Sequence, residues 1–236
     1  MLLAFYICSF TLLKLMKFYK LNTYSLNEEK LNVISHGIGL VLSVIALVFL
    51  VVKSIVYGET IHVVSSIIYG VSLITLYTAS TLYHKSTREK LRKRLNVFDH
   101  ASIFVLIAGS YTPYLLISIS GTLGWRFFAF IWIAAVTGVI LKLFYFGKYS
   151  ILSTVMYIVM GWVIVFLMKP LTENVSSSGI YWLYIGGILY TVGAIIYSIN
   201  KIKMNHAIFH FFVLGGSISH FISIYFYVLP PFKSVI

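Results

Sequence analysis

Charge is what this chain of 236 residues has least of: Asp, Glu, Lys and Arg together make up 10% of it, and only six residues are acidic. A soluble domain carries roughly a quarter charged residues, so this scarcity excludes a surface that is mostly in water. Cysteine is almost missing as well. With Cys8 alone, an intramolecular disulfide and a cysteine-rich metal site are both excluded. Only four prolines occur, no proline or serine cluster marks a linker, and no internal repeat is visible, so nothing divides the chain into two folded units. The alternation of polar and apolar residues that a membrane β-strand needs is also absent, which leaves helices as the spanning element.

What is present in excess is apolar sequence, at 60%. A helix crosses a bilayer with about 20 apolar residues, and reading between charges gives seven such runs. They are Val33–Val52, Thr60–Tyr83, Ala101–Ser120, Leu123–Tyr145, Tyr149–Met168, Ile180–Ile199 and His206–Leu229. Arg126 and Lys142 near the ends of the fourth run are expected to snorkel to an interface. The expected fold is an all-α membrane protein, a seven-transmembrane helix bundle over residues 25–236. Residues 1–24 read as a leader. Met1–Leu13 is too short to span and lacks the pattern of a signal peptide. It is expected to lie as an interfacial helix anchored by Lys14, Lys17 and Lys20, with an early start codon as the alternative.

The formal charge of +12 invites a nucleic-acid reading, but its distribution argues for a membrane. Alternating sides across seven spans places Lys14, Lys17, Lys20, Lys30, Lys142, Lys148, Lys201, Lys203 and the whole basic run Lys85–Arg94 on one side. Lys53, Arg126, Lys169 and Lys233 fall on the other. That asymmetry predicts a cytoplasmic N-terminus and a C-terminus outside. The run Lys85–Arg94 then reads as a cytoplasmic loop facing anionic headgroups, and no nucleic-acid partner is expected.

The same parity places the polar residues. Glu29, Asn32 and His36 open the first span, His84 closes the second, Asp99 precedes the third, and His206 and His210 open the seventh. All of them fall toward one face of the membrane. Ionisable groups in a span are costly and point to function. His206 and His210 share a helix face at i and i+4, so both imidazoles can reach one ion. Imidazole suits zinc, which takes three protein ligands and a water in catalytic sites, and His84 would supply the third. The bland alternative for the pair is two interfacial histidines. Asp99 has the character of a general base beside a metal, or of an aspartate complementing the start of a helix. Ser80, one turn from His84, would donate to a substrate or bond back to its own helix. Glu29 and Asn32 would support the site or cap the first span. His36 reads as a hydrogen-bonded packing residue, His100 as facing the interface, and His220, about 15 Å beyond His210, as a structural hydrogen-bonder to another span. Gly215, Gly216 and Ser217 suggest close helix packing.

Taken together, Glu29-x-x-Asn32-x-x-Ser35-His36, Ser80-x-x-x-His84, Asp99 with Ala108-Gly109-Ser110-Tyr111-Thr112-Pro113, and Asn205-His206-Ala207-Ile208-Phe209-His210 with His220-Phe221 resemble the hemolysin III branch of the progestin and adipoQ receptor family, which includes the adiponectin receptors. The resemblance runs from Glu28 to about Leu229. It implies a bundle oriented opposite to G-protein-coupled receptors, and one zinc ion on His84, His206 and His210 with Asp99 near its water. It also implies membership of a group of membrane metal-dependent amide hydrolases acting on lipids. The extended soluble regions of the receptor branch have no counterpart here, so hormone reception is not implied. The expected function is zinc-dependent hydrolysis of an amide or ester bond in a lipid-like substrate, within a bacterial inner membrane and with membrane lipids as partners. Two rivals stand beside it: cytolysis, as the hemolysin name suggests, and a receptor or membrane sensor with a structural zinc.

Overall fold

The structure, a computed structural model, describes residues 24–144, 150–199 and 201–231. The expected interfacial leader, with Cys8, Lys14, Lys17 and Lys20, lies outside the described residues except for Tyr24. Lys148 and Lys233 lie outside them as well.

All described elements are helical. They run α1 (Leu26–Tyr57), α2 (Thr60–Lys85), α3 (Glu89–Pro113) with a π-helical turn (Tyr114–Ile119), and α4 (Gly121–Phe144). Then follow α5 (Ser150–Trp162), a 3-10 turn (Val163–Leu167), α6 (Met168–Asn174), α7 (Ser177–Ser198), and α8 (Asn205–Ser223) with a second π-helical turn (Ile224–Val228). Seven of these segments are long and apolar enough to cross a membrane, the fifth being Leu152–Asn174 across its 3-10 turn. In a bilayer every backbone polar group must be satisfied internally, and unbroken helices achieve this. The protein is therefore a multi-pass integral membrane protein.

Two helices are longer than their apolar runs. At 1.5 Å per residue, the 32 residues of α1 reach about 48 Å, against roughly 30 Å of hydrocarbon. Ser25 caps α1, its side chain accepting from the Glu28 amide at 3.3 Å. The capping role weighed for Glu29 and Asn32 thus falls to Ser25, and both of those residues turn inward from the first two turns. The third helix starts earlier than expected. The loop is confined to Ser86–Arg88, and the expected basic loop Lys85–Arg94 is mostly the opening of α3. Charges end an apolar run without ending a helix. Glu, Lys, Leu and Arg are good helix formers, and Glu89 pairs with Lys93 one turn on at 2.8 Å. Asp99 consequently sits ten residues inside α3, beyond reach of the helix-terminal dipole that was one reading of it.

Around the bundle, α1 packs on α2 and α8, α2 on α3, α3 on α4, and α7 on α8. The third span is the central pillar: 72% of its most apolar window is buried, against 22% for α4. Helices in lipid gain little from apolar burial against one another and associate through close packing and hydrogen bonds. Gly109 of α3 shows the first: a Cβ there would run into the side chain of Ser72 on α2. Lys142, expected to snorkel, is instead buried, because it continues the stripe of Ile131, Ala135 and Gly138 along which α4 packs on α3.

Candidate metal centre

Three helices bring the key imidazoles together. His84 comes from the last turn of α2, His206 and His210 from the first turns of α8, and α1 lies across both. The Nε2 atoms of His84 and His206 are 3.0 Å apart, as are those of His206 and His210. One ligand atom from each of the three lies within 4.8 Å of the others, and all three residues are buried. Among the described residues this is the one group of three or more His, Cys, Asp or Glu that could hold a metal ion.

The outer nitrogens explain why the inner ones converge. His84 Nδ1 is 2.7 Å from Glu29 Oε2 and 3.3 Å from the side-chain amide of Asn32. His206 Nδ1 is 3.1 Å from the Tyr24 hydroxyl. His210 Nδ1 is 3.4 Å from Ser35 Oγ, which itself donates to the Asn32 carbonyl at 3.2 Å and so has a lone pair to offer the imidazole. A carboxylate, a phenol oxygen and a serine oxygen can each accept a hydrogen bond from Nδ1–H. That tautomer leaves three Nε2 lone pairs aimed at one another in a buried space. Such a donor set suits a cation. Nitrogens about 2.1 Å from a tetrahedral ion stand roughly 3.4 Å apart, so the residues present fit a zinc-sized ion with small adjustments.

The other predicted residues fall into two groups. Ser80 and Asp99 lie beside the cluster. Both are buried, and the Asp99 carboxyl of α3 faces the Ser80 hydroxyl of α2 without closing a hydrogen bond. Ser80 is one helical turn from His84, which sets Asp99 beside the centre and outside the ligand group. His36 stacks on His210, centroids 3.5 Å apart and 8° from parallel, and meets Tyr77 edge-on. Both ring nitrogens of His36 are buried, and the ring is held by these two aromatic contacts. His100 binds back to the Asn96 carbonyl at 2.8 Å. His220 lies far from the cluster, its Nε2 3.2 Å from the Leu183 carbonyl on α7.

Two contacts have no counterpart in the sequence reading. Tyr24 precedes the first helix, yet its ring lies 4.7 Å from that of His206. Arg92 reaches from α3 to Glu29 Oε1. A signal for Arg92 was there: it precedes Asp99 by seven residues and shares its helix face. Nothing local marks Tyr24.

The sequence that builds this site has relatives. Residues 24–221 match the family described as Haemolysin-III related, and the chain belongs to that family. It is 46% identical over 208 residues to "Hemolysin-3" of Bacillus cereus, covering 88% of this chain and 95% of that protein. It is 45% identical over 212 residues to the "Hemolysin-3 homolog" of Bacillus subtilis, covering 89% of this chain and all of that protein. A more distant likeness, 29% over 194 residues, is to the human "Monocyte to macrophage differentiation factor", covering 76% of this chain and 80% of that one. The resemblance read from the motifs is thereby confirmed at the level of family.

Proposed function

We propose that His84, His206 and His210 hold one zinc ion, and that the protein hydrolyses an amide or ester bond in a lipid-like substrate of the bacterial inner membrane. The observation that carries the reading is the set of three buried Nε2 atoms, each turned inward by a partner on its own Nδ1. When bound, zinc supplies a Lewis acid that polarises a carbonyl oxygen and acidifies water near neutral pH. The chain's own residues do the rest. The Asp99 carboxylate takes a proton from the attacking water, and the Ser80 hydroxyl donates to the substrate's carbonyl oxygen. Tyr24, Glu29 and Ser35 keep the three imidazoles in one tautomer and orientation. Three protein ligands, rather than a closed set of four, favour a catalytic over a structural ion. The name of the Bacillus relatives denotes lysis; release of altered lipids would produce it as a consequence of the same chemistry.

The basic asymmetry supports a cytoplasmic N-terminus, with the histidine end of the bundle at the inner leaflet. Accessibility of a cysteine placed at Thr87 to a membrane-impermeant reagent checks this. Labelling is expected only after the cells are opened, and labelling of intact cells would reverse the orientation.

The function is tested by metal analysis of purified protein in detergent, followed by a screen of lipid amides and esters. About one zinc per chain and turnover of at least one substrate are expected. A folded protein that binds no zinc when it is offered would remove the reading.

A further inference from the structure

The two oxygens of the Glu29 carboxylate have different partners. Oε2 lies 2.7 Å from His84 Nδ1, while Oε1 accepts from the Arg92 guanidinium. Arg92 is held in turn by the end of α2: it donates to the Ser86 carbonyl at 3.3 Å, and its guanidinium lies 4.9 Å from the centroid of the Tyr83 ring. Ser86 and Tyr83 flank His84 in the chain. The guanidinium therefore bridges three helices at the place where the His84 imidazole is aimed. Both side chains of the ion pair are largely shielded, at 16% and 17% exposure, so neither is held as loosely as a surface pair.

A carboxylate has two lone-pair edges and can rotate about its terminal bond. Glu29 alone could turn either oxygen toward His84, or swing away toward water. A guanidinium is planar, always charged, and presents donors in a fixed fork. Fixing Oε1 leaves Oε2 one direction in which to accept, along the line to Nδ1. An accepting oxygen held on that line keeps the proton on Nδ1 and turns Nε2 toward the other two imidazoles.

We propose that Arg92 is a positioning residue of the metal centre, acting through Glu29 to hold His84 in the orientation and tautomer that bind zinc. The inference rests on the metal reading given above and assigns to the basic opening of α3 a role beyond facing headgroups. Partners of this kind that orient a metal-bound histidine typically change metal affinity about 10–100-fold when removed.

Zinc affinity of purified full-length protein, measured by chelator competition, tests it alongside the thermal midpoint of the metal-free protein. Arg92→Gln should weaken zinc about 10–100-fold in a protein that still unfolds cooperatively without metal, and Arg92→Lys should recover part of the loss by restoring charge without the fork. Glu29→Gln should cost a similar factor, and the Glu29→Gln, Arg92→Gln double variant no more than the larger single loss, because the two act in series. Glu89→Gln, a carboxylate removed from the same helix, should leave affinity unchanged. Wild-type affinity in Arg92→Gln, or full multiplication of the two losses in the double variant, overturns the proposal. If Arg92→Gln does not fold, the Lys variant carries the test through the visible spectrum of cobalt bound in place of zinc, which should shift from wild type; an unshifted spectrum at wild-type affinity overturns the proposal too. Failure of the wild type itself to bind zinc is a different result and defeats the metal reading first.

Discussion

The bundle contains two buried polar regions that differ in how their atoms are satisfied. Around Ser217 of α8, the Tyr77 hydroxyl donates to Ser217 Oγ at 2.8 Å and the Tyr190 hydroxyl lies 2.8 Å from the same oxygen. Nearby, Tyr69 donates to the Ser217 carbonyl at 3.4 Å and Ser223 to the Gly179 carbonyl at 2.8 Å. Donors meet acceptors there, and the helices α2, α7 and α8 are stitched together. In the histidine region, the bonds form on the outside of each ring and the inner nitrogens face one another. A polar network that closes on itself is structural; one that aims three imidazole nitrogens at a single buried point is suited to something else.

Substitutions should separate the two regions. The largest effect is expected from His206→Ala, His210→Ala or His84→Ala, each of which should strip most of the zinc; stoichiometric metal in all three would merge the two regions into one structural class. Next, Asp99→Asn should keep the metal and lower hydrolysis about 10²- to 10⁴-fold, as read by turnover of an identified lipid substrate. Undiminished turnover would take Asp99 out of the chemistry. Ser217→Ala removes the hydroxyl that Tyr77 and Tyr190 share and should destabilise the bundle by about 1–3 kcal/mol, with zinc affinity unchanged. A drop in affinity would mean the regions are coupled along α8. Smallest of all, Glu89→Gln removes an exposed ion pair and should alter neither stability nor metal binding measurably.

How much of this can be read from residues alone depends on the range of the interaction. Seven spans are legible because the membrane demands long apolar runs, and the run lengths predict helix centres well. Their starts are not legible in the same way. Val33 and Ala101 mark where α1 and α3 enter apolar composition, whereas the helices begin at Leu26 and Glu89; this is why Asp99 reads as terminal when it is internal. The histidine trio is legible because alternation of spans assigns each residue a depth. Depth says nothing of azimuth, so the sequence could not show that His36 stacks on His210 or that Lys142 turns inward. The contacts of Tyr24 and Arg92 join residues separated by 182 and 63 positions; the helix face that Arg92 shares with Asp99 sets it near the site without pointing to Glu29, and nothing local points to Tyr24.

Tyr24 carries a consequence for anyone engineering this protein. It stands just ahead of the first helix, where a hydropathy plot would place the boundary of a minimal expression fragment or the junction with a fusion partner. A fragment cut at Ser25 would keep all seven membrane-crossing helices among the described residues. It would nevertheless lose the hydroxyl beside His206 Nδ1 and leave that imidazole free to exchange its proton between ring nitrogens. Tags on this protein are therefore better carried at the other terminus.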